Sequence, residues 1–192
     1  MIDSAYVSGT MCWGGFACTG LSKRQARKTH PYYFMISHMS LIDETYMKEA
    51  LRQAMTASES DEVPVGAVIV HQNKIIARAH NQIELLKDPT AHAEMIAITQ
   101  ATNFLQLKWL QDCTLYVTIE PCSMCAGALI LSRIDRVVFG AHDEKTGACG
   151  SIINIAQNSK LNHTINISHG ILQDECGALM SNFFKNKRKK KN

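Results

Sequence analysis

The 192-residue sequence predicts a layered α/β domain built on a central sheet. Two observations lead there. Segments with apolar residues at helical spacing alternate with short β-rich runs, and 46% apolar with 19% charged residues is the balance of an ordinary globular chain with one core.

The elements follow in order. From Met39 the pattern sharpens: Tyr46, Met47, Ala50, Leu51, Ala54 and Met55 recur at helical spacing, with Asp43 and Glu44 near the start, where a helix dipole favours acids. VPVGAVIV and KIIARAH are β-rich runs separated by His71, Gln72 and Asn73, which predicts a hairpin. A second helix is expected from Pro89 to about Leu105. TLYVTIE (114 to 120) is a strand, CSMCAGALILS (122 to 132) a helix and RVVFGA (136 to 141) another strand. INISHGIL gives the last strand, and DECGALMSNFFKNKRKK a terminal helix. No internal repeat is visible.

The ends differ from the body. Residues 1 to 38 have no sustained period, a glycine-containing stretch GTMCWGGFACTG and a basic cluster KRQARK. They are expected to be disordered or an extension upstream of a natural start at Met39; a targeting peptide would show a clearer amphipathic repeat. The domain proper is placed at 39 to 184 and a basic tail at 185 to 192. The net charge of +3 hides this division: residues 40 to 184 hold ten basic and sixteen acidic side chains, a net of −6, while 185 to 192 hold six basic and no acidic ones. A polyanionic partner would have to meet local positive patches, and KNKRKKKN is the obvious one, unless it is only a solvated terminus.

No apolar run is long enough to cross a bilayer and the first residues lack the order of a secretory signal, so a cytoplasmic protein without membrane contact is expected. Seven cysteines at uneven spacing suit a reducing compartment better than a disulfide framework.

The chemistry begins with DPTAHAEMIAI, residues 88 to 98. From Ala93 this reads as the buried face of a helix, yet His92 and Glu94 sit in its first turn, and burying both unpaired is costly. A partner is required. Cys122 and Cys125, three apart at the opening of a helix, share one face, and a helix N-terminus lowers a thiol's pKa toward the thiolate that metals take. Alone, the cysteine pair equally suits zinc, a redox motif or two small buried residues, and a single histidine is usually a satisfied polar group. The combination is more pointed. Helices that follow neighbouring strands start at one end of an α/β sheet, which would bring His92, Cys122 and Cys125 together as three zinc ligands. Three protein ligands leave a fourth position for water, the arrangement of a catalytic site; Cys113 and Cys149 would complete a structural one only if their loops fold back. Glu94 then has a role as general base and afterwards general acid toward that water.

HAE followed by PCSMC, with Cys122 thirty positions after His92, resembles the H-x-E…P-C-x-x-C signature of zinc-dependent nucleobase deaminases. Longer phrases, EVPVGAVIV, DPTAHAE, LYVTIEPCSMCAGA, SRIDRVVFGAHDEKTGACGS and GILQDECGALMSNFF, resemble the bacterial tRNA-specific adenosine deaminases over residues 41 to 188. The resemblance implies a cytidine-deaminase-like layered fold, a five-stranded sheet flanked by helices, and a homodimer. It also implies one zinc per subunit on His92, Cys122 and Cys125, with Glu94 shuttling protons and Asn81, Ala93 and Asp143 as substrate contacts. Its substrate would be a tRNA anticodon stem-loop, whose wobble adenosine becomes inosine. The family commonly has arginine where this chain has His142, which puts one phosphate contact in question. Residues 1 to 38 have no counterpart. Competing with this reading are a zinc deaminase of a free base or nucleotide (guanine, cytosine or deoxycytidylate) and a noncatalytic zinc-stabilised RNA-binding module. Phe183 and Phe184, just before the basic run, belong either to the core or to an RNA edge.

Overall fold

The computed structural model describes the backbone of residues 31–191 and the side chains of 41–190. What the sequence suggests for residues 1 to 38 lies, but for the helical backbone from Pro31, outside the described residues. The chain divides into two units, Met1–His38 and Met39–Asn192, and the second holds the whole sheet.

Helix α1 spans Pro31–Glu59, strand β1 Gly66–His71 and strand β2 Lys74–His80. A short helix α2, Ile83–Leu86, precedes α3, Ala93–Leu105. Then come β3 (Cys113–Ile119), α4 (Ser123–Leu131), β4 (Arg136–Ala141), β5 (Asn166–His169) and α5 (Gln173–Lys191). The five strands form one sheet in the order β2-β1-β3-β4-β5. β1 pairs antiparallel with both β2 and β3, whereas β3, β4 and β5 are mutually parallel. The predicted α/β architecture is the observed one.

Alternation along the strands explains the three layers. Ala67 and Ile69 of β1, Leu115 and Val117 of β3, and Val137 and Phe139 of β4 face one core, where they meet Ala93, Ala97 and Ala101 of α3 and Leu129 of α4. The intervening Val68, Tyr116 and Val138 face the other, against Met47, Ala50 and Leu51 of α1 and Cys176 of α5. The small residues on α3 let it lie close on the sheet. At the β1/β2 hairpin, Gln72 and Asn73 both have positive φ (47° and 60°), the backbone a two-residue turn between right-twisted strands requires.

Several boundaries differ from expectation. α1 starts at Pro31 rather than near Met39, and proline suits a first helical position. α3 starts at Ala93, not Pro89, because Asp88 Oδ1 accepts hydrogen bonds from the Thr90 amide (2.8 Å) and hydroxyl (2.7 Å), which fixes a turn before the helix. α2 has no counterpart among the predicted elements. The terminal helix, by contrast, runs through the basic run as expected: α5 exceeds DECGALMSNFFKNKRKK by one residue at each end, so these cations stand on a helix.

Two features fix α1 on the sheet. The buried Asp43 carboxylate accepts two hydrogen bonds from Arg136 of β4 (2.9 and 2.7 Å) and one from the Tyr116 hydroxyl (2.8 Å). Burial and that carboxylate push the Tyr116 phenol above its ordinary pKa. At Gly66 a side chain is excluded, because a Cβ there would overlap the Ala50 carbonyl oxygen and the Ala54 nitrogen. Both obstacles are helix backbone and cannot swing aside. Gly66→Ala should therefore cost about 1–3 kcal/mol by overpacking, at roughly 2–4 °C of melting temperature per kcal/mol for a domain of this size. A thermal melt that leaves the midpoint unchanged would show that α1 does not press on β1 in this way.

Candidate active site

Two helix starts meet at one end of the sheet. His92 is the N-cap of α3 and Cys122 the N-cap of α4, both with extended backbone (φ −73°, ψ 153° and φ −71°, ψ 175°). Cys125 follows one turn into α4. Neither cap residue hydrogen-bonds its own helix through its side chain, so imidazole and thiol are directed elsewhere. They are directed at each other: His92 Nδ1 lies 3.7 Å from Cys122 Sγ and 3.5 Å from Cys125 Sγ. Among the described residues, these three form the one group of His, Cys, Asp and Glu side chains whose ligating atoms converge, all within 4.8 Å of one another. Neither Cys113 nor Cys149 joins them; both are free, buried thiols.

The electrostatics suit a cation. The neighbouring Cys125, helped by His92, lowers the Cys122 pKa to about 4 against the cost of burial. The neighbouring Cys122, with burial, holds Cys125 well above its ordinary range. The bond to Cys122 raises the pKa of His92. One nitrogen and two sulfurs are the donors that zinc takes in a three-ligand site.

Glu94 sits one residue into α3 and is 3% exposed. Burial pushes its carboxyl pKa up, outweighing its own backbone amide and the attraction of His92. Among the described residues, its Oε2 is the one buried side-chain oxygen or nitrogen with no hydrogen-bond partner in the protein. A buried carboxylate oxygen left without a partner costs about 1–3 kcal/mol or more, and such exceptions concentrate where chemistry is done.

A cavity of about 1000 Å³ opens over this group. His92, Glu94, Cys122, Asn81 and Asp143 line it; Ala93 does not. Ala93 is fully buried, and its amide donates to Asn81 Oδ1 at 2.9 Å. That bond fixes the orientation of the Asn81 carboxamide, which is 3% exposed: the oxygen caps α3 and the Nδ2 group is left for the cavity. Asp143 bends its carboxylate back on its own loop, where Oδ1 accepts from the Lys145 and Thr146 amides (2.9 and 3.2 Å).

The far wall of the cavity is α5, which contributes Ser181, Phe184, Lys185 and Arg188. The two phenylalanines divide: Phe183 is buried, while Phe184 is 40% exposed and lines the cavity. Lys187 points elsewhere, lying 5.0 Å over the Phe183 ring with Nζ 3.4 Å from the Asp61 carbonyl oxygen. Sequence reasoning passes over Glu120, the last residue of TLYVTIE. Its buried carboxylate accepts hydrogen bonds from the Cys149 (2.9 Å), Ser151 (3.1 Å) and Asp143 (3.2 Å) amides and from the Ser151 hydroxyl. Burial opposes its ionisation, but these bonds outweigh it and hold the carboxyl below its ordinary pKa. An acid at the buried end of a central strand is the signal that marks it.

Comparison with known proteins agrees with this geometry. Residues 42–188 match the family described as MafB19-like deaminase. The tRNA-specific adenosine deaminase of Bacillus subtilis (strain 168) is 50% identical over 149 residues, which cover 78% of this chain and 92% of that protein. The tRNA-specific adenosine deaminase of Aquifex aeolicus (strain VF5) is 51% identical over 145 residues, 76% and 95% of the two chains. A solved structure from work on A-to-I editing by tRNA:A34 deaminases at the wobble position of transfer RNA superposes with a TM-score of 0.68 at 39% identity, covering 70% of this chain and 98% of that one. Half the residues of nearly complete relatives are thus retained on the same framework, and the chain belongs to the family of tRNA-specific adenosine deaminases.

Proposed function

We propose that this chain hydrolytically deaminates adenosine to inosine at the wobble position of a tRNA anticodon, with release of ammonia. The observation that carries the mechanism is Glu94 Oε2, buried and unpartnered beside three converging ligand atoms. His92 Nδ1, Cys122 Sγ and Cys125 Sγ would hold one zinc ion. When bound, zinc supplies a water ionised near neutral pH. Glu94 does the proton work: with its pKa raised, its Oε2 takes a proton from water, passes it to the adenine ring nitrogen and then assists departure of the amino group. An adenine stacked in a helix cannot reach a cavity this deep, so the substrate base is one splayed from a loop. Asn81 Nδ2 is the donor directed at it, and Asp143, through its loop, borders its path.

The domain is placed at residues 39 to 184, with residues 1 to 38 as an extension and 185 to 192 as its basic end. A homodimer accords with Phe104 and Leu131, 66% and 77% exposed on the two helices that cover the site's face of the sheet. No helix among the described residues is long and apolar enough to cross a membrane.

Metal and proton transfer separate by mutation. His92→Ala or Cys122→Ala should lose zinc, whereas Glu94→Ala should keep it and lose about 10²–10⁴ in rate or more. Metal analysis beside inosine formation distinguishes them, and an active Glu94→Ala variant would overturn the assignment. Asn81 has two functions that two variants divide. Asn81→Asp keeps the oxygen that caps α3 but loses the donor, so it should fold normally and raise KM for an anticodon stem-loop about tenfold or more; Asn81→Ala should also lower the melting temperature. Equal stability in both variants would remove the capping function.

Three of the cations on α5 divide by position, Lys185 and Arg188 at the cavity and Lys187 away from it. Neutralising Lys185 and Arg188, on the cavity side, should weaken stem-loop binding for every sequence and reduce the slope of log K on log salt by about 0.7 for each phosphate they would otherwise neutralise. Lys187→Ala, which removes an inward-facing cation, should change that slope less. Binding titrations at several salt concentrations provide the comparison, and an unchanged slope in the double variant would take α5 out of the RNA path.

A further inference from the structure

The segment between β4 and β5 begins with His142 and Asp143, two of the residues at the cavity, yet it has no regular structure of its own until β5. One side chain outside it meets both ends of its first ten residues. Glu120, whose side chain is wholly removed from solvent, stands at the end of β3 immediately before Pro121 and Cys122. Its Oε1 accepts from the Cys149 and Ser151 amides, and its Oε2 from the Asp143 amide and the Ser151 hydroxyl. His142 Nδ1 lies 3.3 Å from the same Oε2 and 3.0 Å from the Ser151 hydroxyl oxygen. One carboxylate thus gathers residues 142, 143, 149 and 151 around itself.

The main chain on either side is fastened to the same segment. The Glu120 amide donates to the Ala141 carbonyl (2.9 Å), the Ala148 amide donates to the Pro121 carbonyl (2.9 Å), and Cys122 forms an antiparallel bridge with Gly147. Gly147 leaves the space that the carboxylate fills: a Cβ there would come within 2.6 Å of Glu120 Cδ and Oε2. No regular ladder supports the segment here, so the carboxylate takes the place of a strand partner.

We propose that Glu120 is a positioning residue for substrate, holding residues 142–151 against the turn that carries Cys122 so that the Asp143 loop borders the cavity at a fixed distance from Glu94. Glu120 borders the cavity, but its carboxylate oxygens are taken up by these amides and the Ser151 hydroxyl. Its effect is on where RNA is held, and it therefore rests on the proposed tRNA deamination for its substrate, though not for its structural content.

Glu120→Gln discriminates, because it preserves shape and removes an acceptor. Two amides, of Cys149 and Ser151, require the side-chain oxygen on the Oε1 side; the new NH₂ group then faces the Asp143 amide, donor against donor. The Asp143 end should be released while the Cys149 end is kept. Hydrogen exchange in the full chain should show the Asp143 amide at least tenfold faster, with the amides of Val117 and Val138 in β3 and β4 unchanged. With an anticodon stem-loop, KM should rise about tenfold, kcat should stay within about threefold, and bound zinc should be unchanged. Ser151→Ala, which retains the carboxylate and removes one donor, should raise KM about threefold and guards against an E120Q chain that fails to fold. Unchanged exchange at Asp143 would overturn the proposal, as would a loss of zinc and kcat at constant KM, which would assign Glu120 to the metal-binding turn instead. Should the wild-type chain leave the stem-loop unmodified, the tRNA reading fails, and the exchange result still decides whether Glu120 positions the segment.

Discussion

The chemistry of this chain depends on two helices beginning side by side. α3 and α4 both follow the sheet on one face, and both use as N-cap a residue whose side chain is turned away from its own helix. A cap of serine or aspartate would satisfy the first amides locally and end there. With histidine and cysteine in these places, the capping is left to others, Asn81 in the case of α3, and the imidazole and thiols converge in the positive field of two helix ends. A helix N-terminus favours thiolate, and the burial that accompanies it raises the pKa of Glu94. The same placement thus prepares both the candidate metal site and the proton carrier proposed here.

Local signals in the sequence are legible where a segment is buried on a regular period. RVVFGA is β4 residue for residue, and TLYVTIE differs from β3 by one position at each end. HAE and PCSMC, thirty positions apart, can be joined because α/β geometry brings helix starts to one end of a sheet, and the distances agree. What stays hidden depends on contacts between distant residues. Glu120 reads as the end of a strand, since nothing in TLYVTIE reveals that its carboxylate will meet amides 23 to 31 positions later. Helix α2 is too short for periodicity to register. Adjacent Phe183 and Phe184 cannot be separated by type, only by the rotation of α5 over the sheet.

The competing readings are not distinguishable from the centre alone. A three-ligand site with an adjacent glutamate serves a free base as well as a base in RNA. Family membership selects between them, and it rests on the whole domain and not on these four residues alone.

The two fates of the cations on α5 bear on how a polyanion reaches this cavity. The body around it is acidic, a net of −6 over residues 40 to 184, so a nucleic acid approaching from most directions is repelled. Lys185 and Arg188 interrupt that surface at the cavity rim, while Lys187 is drawn down to Asp61 and Phe183 on another side of the same helix. A uniformly basic tail would gather RNA in any orientation. Here Lys185 and Arg188 stand at the cavity and Lys187 is turned from it, so the charge on this helix is not spread evenly around its axis.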